Sequence, residues 1–248
     1  MQRRPIRSPL AVALAAVAGG LLLLNAGCAV SRLGIAKDLA ERSVPFQRQP
    51  AAPTYRLLVI GDSTAVGTGA SAPEASLAGL IARDHPSWAI ANRASDGARF
   101  ADLPGQLRRG ETWDAVLILA GGNDVIRLTG ADALGAAVRD IAMQSRAVAP
   151  RVVLMPPGNV GNAPFFFAPL SWWMAKRSRT LHAIVREAAQ ATGAHYVSLY
   201  RERDDDPFAQ QPKRMNAADG LHPSDEGYVL WYRTLMHQAP LGAAQRTQ

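Results

Sequence analysis

A serine near the start of the chain and a His/Asp pair near its end have the types and spacing needed for nucleophilic catalysis. Ser63 follows Gly61 and Asp62, and Asp219 precedes His222 by three residues. A serine hydroxyl needs a base to take its proton during attack, and a neutral imidazole with a pKa of roughly 6.5 suits that task. An aspartate three residues earlier can accept from the imidazole Nδ1 and orient the ring. The three residues therefore predict a nucleophile (Ser63), a general base (His222) and an orienting carboxylate (Asp219).

Two further polar segments supply hydrogen-bond donors. Gly97 follows Asn92 by five residues, and Asn123 stands in the run Gly121-Gly122-Asn123-Asp124. Acyl transfer places negative charge on the carbonyl oxygen, and preorganised donors stabilise it. We expect the backbone N–H groups of Ser63 and Gly97 and the side-chain amide of Asn123 to form this oxyanion hole. Taken singly these residues are typical of helix caps and turns, but their joint occurrence favours catalysis.

These segments follow predicted strands of one sheet. The predicted strands are Arg56 to Ile60, Trp88 to Asn92, Ala115 to Ala120, Val152 to Met155 and His195 to Leu199. The predicted helices are Glu74 to Asp84, Phe100 to Arg108, Ala131 to Val148, Trp173 to Thr192 and Ser224 to Met236. Such alternation predicts a three-layer α/β sandwich with a five-stranded parallel sheet. Ligands bind outside the carboxyl ends of such strands, where the polar segments fall.

The four polar segments resemble the signature blocks of the SGNH, or GDSL, hydrolase superfamily of esterases and lipases. The resemblance covers residues 55 to about 237 and includes Asp219-Gly220-Leu221-His222-Pro223. It implies a flavodoxin-like sheet of order 2-1-3-4-5 and hydrolysis of carboxylic esters. The family residues fall on Ser63, Gly97, Asn123 and His222. Thr64 replaces the leucine common after the serine, which leaves the chemistry intact but weakens any assignment to a lipase subgroup.

The sequence leaves the substrate and some alternatives open. Short-chain esters, lysophospholipids, acyl thioesters and acetylated sugars all suit the site, and an acyltransferase or a carbohydrate O-acetylesterase would use the same triad. A non-catalytic envelope binding module would tolerate the loss of His222 or Asn123, and both are present. Nucleotide binding is excluded, because Gly67 and Gly69 match neither G-x-G-x-x-G nor G-x-x-x-x-G-K-[ST].

An aromatic segment lies between the fourth predicted strand and the next helix. Its candidate substrate-binding residues are Phe165, Phe166, Phe167, Trp172 and Trp173. We interpret them as an acyl-binding wall or a lip that touches a membrane; the alternative is an insertion that closes the sheet by packing.

The remaining chemistry-bearing residues favour structural roles. His85, His182, His195 and His237 have no carboxylate at a useful spacing, and we expect them at the surface or in packing. Asp204-Asp205-Asp206 predicts a solvated loop, since its spacing does not match a calcium loop. No cofactor or metal site is predicted, and Cys28 is the only cysteine. The net charge is +7, but the basic residues are scattered along the sequence rather than clustered, so the sequence predicts no nucleic-acid partner.

The N-terminal residues 1–29 predict a signal peptide or a membrane anchor. Arginines at positions 3, 4 and 7 precede an uncharged apolar run from Leu10 to Leu24. Cleavage before Cys28 with lipidation, cleavage after Ala29, and retention as an anchor are all compatible with the sequence. Each outcome predicts export to the periplasm or cell envelope, with possible membrane attachment through this segment or at Cys28.

The remaining boundaries follow from composition. Residues 30–53 predict a linker, because prolines at 45, 50 and 53 favour an extended chain after one or two possible helical turns. Residues 54–240 form the predicted catalytic domain, and residues 241–248 a tail.

Overall fold

The computed structural model describes residues 31–239, 241 and 242. The predicted signal or anchor, residues 1–29, therefore lies outside the described residues, as do residues 243–248 of the predicted tail. Within the described part, no helix is both long and apolar enough to cross a membrane.

Five parallel strands form one sheet in the order β2-β1-β3-β4-β5. They are β1 (Tyr55–Gly61), β2 (Trp88–Asn92), β3 (Ala115–Leu119), β4 (Arg151–Leu154) and β5 (His195–Tyr196). The interior strand β1 pairs on both sides, with Leu58 opposite Ala91 of β2 and Val116 of β3. Parallel neighbours require crossover connections, which the intervening helices provide. The predicted α/β class and the order 2-1-3-4-5 are confirmed.

Both faces of the sheet are buried. Leu57 and Val59 of β1 belong to one apolar cluster, whereas Leu58 and Ile60 belong to the other. Successive side chains of a strand point to opposite faces, so a strand covered on both sides is apolar throughout. This burial explains why the strands appear in the sequence as continuous apolar runs.

Nine helices surround the sheet in the described part of the chain. They are α1 (residues 31–42), α2 (Ser63–Val66), α3 (Leu77–Asp84), α4 (Gly122–Ile126), α5 (Ala131–Val148), α6 (Leu170–Thr192), α7 (Pro207–Gln210), α8 (Pro212–Met215) and α9 (Asp225–Gln238). Helices α3 and α9 pack on one face of the sheet, and α5 and α6 on the other. The predicted long helices are thus present, whereas the short helices α2, α4, α7 and α8 were not predicted.

Two predicted elements differ from the structure. The helix expected over Phe100–Arg108 is a 3-10 helix, Phe100–Gln106, which contains a proline that removes a backbone donor. The fifth strand, expected to reach Leu199, has only two residues. Beyond it, the Val197 N–H still donates to the Leu154 carbonyl (2.9 Å), and the Gln238 side chain accepts from the outward-facing Ser198 N–H (2.8 Å).

The segment predicted as a linker, residues 30–53, packs against the domain over much of its length. Phe46 is buried in the core. Arg48 and Ile90 of β2 exchange backbone hydrogen bonds, with N–O distances of 3.0 and 2.8 Å. An edge strand leaves unpaired backbone groups, and the extended, proline-containing chain satisfies part of them. At the other end, Leu241 of the predicted tail is also buried.

Candidate active site

Ser63, His222 and Asp219 form one chain of hydrogen bonds. Ser63 Oγ lies 2.8 Å from His222 Nε2, and His222 Nδ1 lies 2.5 Å from Asp219 Oδ2. The serine and the histidine expose only 9% and 8% of their surface, and the aspartate none. If Nδ1 carries the proton and donates to Asp219, Nε2 is free to accept from the Ser63 hydroxyl. The structure thus brings together the three residues that the sequence proposed for nucleophile, base and orienting carboxylate.

The loop that carries His222 is built around the Asp219 carboxylate. Its Oδ1 accepts from the backbone N–H groups of Leu221 (2.9 Å) and His222 (3.1 Å), so Oδ2 faces the imidazole. Burial acts to raise the pKa of Asp219, but the hydrogen bonds from His222 and the two amides outweigh it and lower that pKa. Asp219 is therefore ionised near neutral pH and can stabilise an imidazolium.

The turn before Ser63 requires glycine. Gly61 has φ of +149°, and a Cβ there would lie 1.8 Å from the Leu119 carbonyl oxygen. The Gln106 side chain accepts from the Gly61 N–H (2.7 Å) and donates to its carbonyl (2.9 Å). These contacts fix the end of β1 and hence the point where the nucleophile leaves the sheet.

Asp62 caps the short helix α2 that begins with Ser63. Its Oδ1 accepts from the Thr64 N–H (2.9 Å) and hydroxyl (2.7 Å). Burial, the largest effect, raises the pKa of Asp62 to about 6, even though the hydrogen bonds from Thr64 act to lower it. Thr64, which departs from the family's usual leucine, thus contributes a hydroxyl to the cap.

The chain after α2 is pressed against the histidine loop. A Cβ on Gly69, whose φ is +96°, would lie 2.4 Å from the Pro223 carbonyl oxygen and 2.9 Å from His222 Cβ. The buried Tyr228 hydroxyl donates to the Thr68 carbonyl at 2.9 Å. These contacts hold the segments of Ser63 and His222 together, although 159 residues separate the two in the chain.

Asn123 links the two segments predicted to form the oxyanion hole. Its Nδ2 donates to the carbonyl of Ala98, next to Gly97, at 3.2 Å. A primary amide has two hydrogens, so one is left for a ligand. The N–H of Ser63, the first residue of α2, has no partner within the helix, as at any helix N-terminus. Ser63, Gly97 and Asn123 all border one cavity.

Asn92 braces the nucleophile helix from the neighbouring strand. Its Nδ2 donates to the Ala65 carbonyl in α2 at 2.7 Å, and its Oδ1 accepts from Ala94 N at 3.1 Å. Gln47 holds the Asn92 backbone with two side-chain hydrogen bonds of 2.5 and 3.0 Å. A residue from the predicted linker therefore supports the site indirectly.

Ser63 and His222 border a cavity of about 200 Å³. Two sets of its lining residues are distinguished by their chemistry and are here called the polar wall and the apolar wall. The polar wall consists of Ser63, Gly97, Asn123 and His222. The apolar wall consists of Val160, Ala163, Leu199, Phe208, Leu221 and Trp231. Ala40 of α1 also borders the cavity. This arrangement fits a reacting ester carbonyl at the polar wall and a short apolar group against the other wall.

Comparison with known families gives a match over residues 59–230 to the GDSL-like lipase/acylhydrolase family. The chain belongs to this family. The match includes Ser63, Gly97, Asn123, Asp219 and His222 within its bounds.

Individual relatives are more distant. A GDSL-like esterase of Mycobacterium tuberculosis is 28% identical over 199 residues, which cover 77% of this chain and 61% of that protein. The chain therefore spans less than two thirds of that relative's length.

Two solved structures have a similar fold. The lipase/acylhydrolase from Enterococcus faecalis has a TM-score of 0.60 and 22% identity, covering 75% of this chain and 96% of that one. The acetylxylan esterase from Geobacillus stearothermophilus has a TM-score of 0.54 and 21% identity, covering 81% and 100%. At such identities the likeness concerns the fold alone.

The aromatic segment of this GDSL family member does not border the cavity. Phe165 and Phe166 are half-buried and contact each other edge to face at 5.0 Å, whereas Phe167, Trp172 and Trp173 are exposed. The chain lines the cavity just earlier, with Val160 and Ala163, and has passed it before the aromatic residues begin. The interpretation of these five side chains as an acyl-binding wall therefore fails on their position.

The acidic run predicted as a solvated loop also needs correction. Asp206 is buried, caps α7 by accepting from the Phe208 N–H (3.0 Å), and accepts from Asn162 Nδ2 (2.7 Å). It also borders the cavity. Among the described residues, no group of three His, Cys, Asp or Glu side chains is arranged to hold a metal ion.

His182 lies in the core, as expected for a packing histidine, and supports the cavity from behind. Its Nε2 lies 2.7 Å from the carbonyl oxygen of Pro157, which borders the cavity, and its Nδ1 lies 2.6 Å from the Tyr196 hydroxyl. Burial lowers the pKa of His182 to about 4. The neutral ring therefore donates from Nε2 to Pro157 and accepts from Tyr196 at Nδ1. Of the other histidines, His85 stacks on Trp88 at 3.9 Å.

Several of these supporting residues carried no usable signal in the sequence. Gln106, Gly69 and His182 act through contacts with residues distant in the chain. A single glutamine or glycine outside a motif does not indicate such a partner. The residues of the apolar wall likewise resemble any other core residue when only their type is known.

Proposed function

We propose that this protein hydrolyses carboxylic esters, with Ser63 as nucleophile, His222 as general base and Asp219 as its orienting carboxylate. The observation that carries the proposal is the continuous chain of hydrogen bonds from Ser63 through His222 to Asp219. The Ser63 end of this chain borders the cavity. The distance of 2.8 Å between Ser63 Oγ and His222 Nε2 is within the range in which a base can take the serine proton, and the distance of 2.5 Å between His222 Nδ1 and Asp219 Oδ2 lets the carboxylate orient the ring.

In the first half-reaction, Ser63 Oγ attacks the ester carbonyl carbon while its proton passes to His222 Nε2. The carbonyl π electrons move onto oxygen, and the N–H groups of Ser63 and Gly97 and the Asn123 amide stabilise the resulting oxyanion. When the intermediate collapses, the ester C–O bond breaks. The imidazolium gives its proton to the departing alcohol, leaving an acyl group on Ser63.

The second half-reaction repeats these steps with water. His222 takes a proton from a water molecule as the water oxygen attacks the acyl carbon. The donors of the oxyanion hole stabilise the second oxyanion as they did the first. Collapse breaks the bond to Ser63 Oγ, which regains the proton from the imidazolium, and releases the carboxylic acid.

We further propose that the acyl group lies against the apolar wall, since apolar side chains favour a hydrocarbon group there. The volume of about 200 Å³ favours short acyl chains. Acetylated glycans are a specific candidate class, because one of the proteins with a similar fold is an acetylxylan esterase.

A hydrolysis panel tests the proposal. Acetate to octanoate esters, a lysophospholipid, an acyl thioester and acetylated xylan are offered to the wild type and to Ser63→Ala. We expect hydrolysis of at least one class, with a loss on the order of 10³ to 10⁶ in kcat for Ser63→Ala. The control is Ser87→Ala, at the opposite edge of the sheet. Wild-type activity in Ser63→Ala would refute the nucleophile assignment.

A further inference from the structure

Exposed apolar side chains are concentrated beside the active-site edge of the sheet. Leu33, Phe167, Leu170, Trp172 and Trp173, here called the aromatic rim, expose 57, 46, 44, 71 and 46% of their surface. Single exposed apolar residues are common on soluble proteins, but a group that includes two adjacent tryptophans marks an interaction surface.

Helix α1 connects this rim to the cavity. The Arg32 guanidinium donates to the Pro164 carbonyl and lies over the Phe167 ring at 5.2 Å, which fixes the start of α1 on the aromatic segment. Two turns later, Ala40 of the same helix borders the cavity, as does Ala163, next to Pro164. The rim and the entrance to the active site are therefore neighbours.

The sequence before α1 indicates what covers the rim. The apolar run from Leu10 to Leu24 and Cys28 immediately precede the helix. A chain spans at most about 3.6 Å per residue, so Cys28 lies within about 11 Å of residue 31. An anchor in this segment would hold the rim close to the membrane that it enters.

We propose that the aromatic rim docks on the surface of a lipid bilayer, so that the cavity opens beside the lipid headgroups. Tryptophan suits this position, because its ring has an apolar body and a polar N–H that is stable at the interface. Charges on α1 nearly balance: Arg32, Lys37 and Arg42 stand against Asp38 and Glu41. Lys176, exposed on α6 about one turn after Trp172 and Trp173, adds one positive charge beside the rim. Docking is therefore driven mainly by apolar contact and depends little on salt.

The positions of the tryptophans allow a direct test. The chain has five: Trp172 and Trp173 in the rim, Trp231 buried, and Trp88 and Trp113 at the amino ends of β2 and β3, on the opposite edge of the sheet. Full-length protein is incorporated into phosphatidylcholine vesicles that carry bromine near the headgroup end of their acyl chains. Bromine quenches only the tryptophans that enter the bilayer.

We expect tryptophan fluorescence to be quenched in the wild type and in the matched control Trp113→Phe. The quenching is lost in Trp172→Phe/Trp173→Phe, which keeps two apolar rings and so preserves docking while removing the reporters. Raising NaCl from about 0.1 to about 1 M leaves the wild-type quenching in place.

Two results would overturn the proposal. One is equal quenching in the wild type and the double variant; the other is vesicle-bound wild type whose tryptophans are not quenched. The second result would assign the rim to a protein surface, such as the apolar N-terminal segment or another copy of the chain. Neither readout depends on ester hydrolysis, so the test is independent of the proposed function.

Discussion

The two walls of the cavity differ in how they are built. Ser63 and Asn123 of the polar wall lie at the start of the short helices α2 and α4, and Gly97 and His222 lie in loops, all at the carboxyl end of the sheet. Local hydrogen bonds fix these positions, as Asp219 holds the loop of His222. The apolar wall instead combines residues from the stretches after β4 and β5, from helices α7 and α9, and Leu221 next to His222, which meet only in the folded chain. Under the proposed function, the polar wall carries out the reaction steps and the apolar wall selects the substrate.

If this division holds, changes in the polar wall lower the rate for every ester by a similar factor. Changes in the apolar wall alter the ratio between esters. The predictions below test this difference, beginning with the largest expected effect.

The largest effect is expected at the histidine. His222→Ala removes the base that takes the serine proton, and we expect kcat to fall on the order of 10³ to 10⁶ for every ester. Asp219→Ala leaves the base in place and should cost less, because only the orientation and tautomer of the imidazole are affected. Initial rates on acetate and octanoate esters provide the measurement. The control is His237→Ala, on the exposed face of α9; a larger loss there than at position 222 would contradict the assignment.

The second prediction concerns the oxyanion. Asn123→Ala removes a donor that acts on the transition state more than on the bound ester, so kcat falls by about 10² to 10³ while KM changes little. Steady-state kinetics on two esters would show the same factor for both. A change confined to KM would make Asn123 a residue that binds substrate instead.

The polar wall was predictable from the sequence, because the type of each residue and its place within a short motif indicate its chemical role. Ser63, Gly97, Asn123 and His222 each stand where a strand or loop ends, and parallel strands bring those ends to one edge. The same reasoning succeeded for the strand order, because apolar runs alternating with long helices permit few arrangements.

It failed where position depends on distant contacts. The composition of the aromatic segment predicts an acyl wall, but the chain lines the cavity at Val160 and Ala163, around the turn Val160–Asn162, and leaves it before the aromatic residues begin. Arg48 is predicted to be part of a linker, because its pairing with Ile90 of β2 leaves no local pattern in the sequence. Buried Asp206 likewise depends on its partner Asn162, 44 residues away.

A third prediction concerns His182, which packs behind the cavity, and the pH dependence of folding stability that it causes. The pKa of His182 is lowered to about 4 in the folded protein, from an ordinary value near 6.5. Between these values the unfolded chain binds more protons at this site than the folded protein does. Folding stability therefore decreases as pH falls from about 6.5 to 4, by about 3 kcal/mol from this residue.

His182→Gln checks that contribution. Glutamine keeps an amide donor for the Pro157 carbonyl but does not titrate, so the pH dependence of stability between pH 4 and 6.5 becomes shallower by the same amount. Urea unfolding at several pH values in this range measures it. The matched control is His237→Gln, on the exposed face of α9. An unchanged dependence in His182→Gln would mean that this histidine is protonated in the folded state.

The smallest effect tests selectivity at the apolar wall. Ala163 borders the cavity with a side chain of one carbon, so Ala163→Leu fills part of the space proposed for the acyl chain. Each methylene that is excluded forfeits up to about 0.8 kcal/mol, or about fourfold in kcat/KM. We expect the octanoate to acetate ratio of kcat/KM to fall by about tenfold or more, while acetate hydrolysis is nearly unchanged.

Trp172→Ala on the rim is the matched control and leaves the ratio for soluble esters unaltered. Equal losses on both esters with a lower melting temperature would give Ala163 a packing role, whereas a changed ratio in Trp172→Ala alone would return the acyl wall to the aromatic segment.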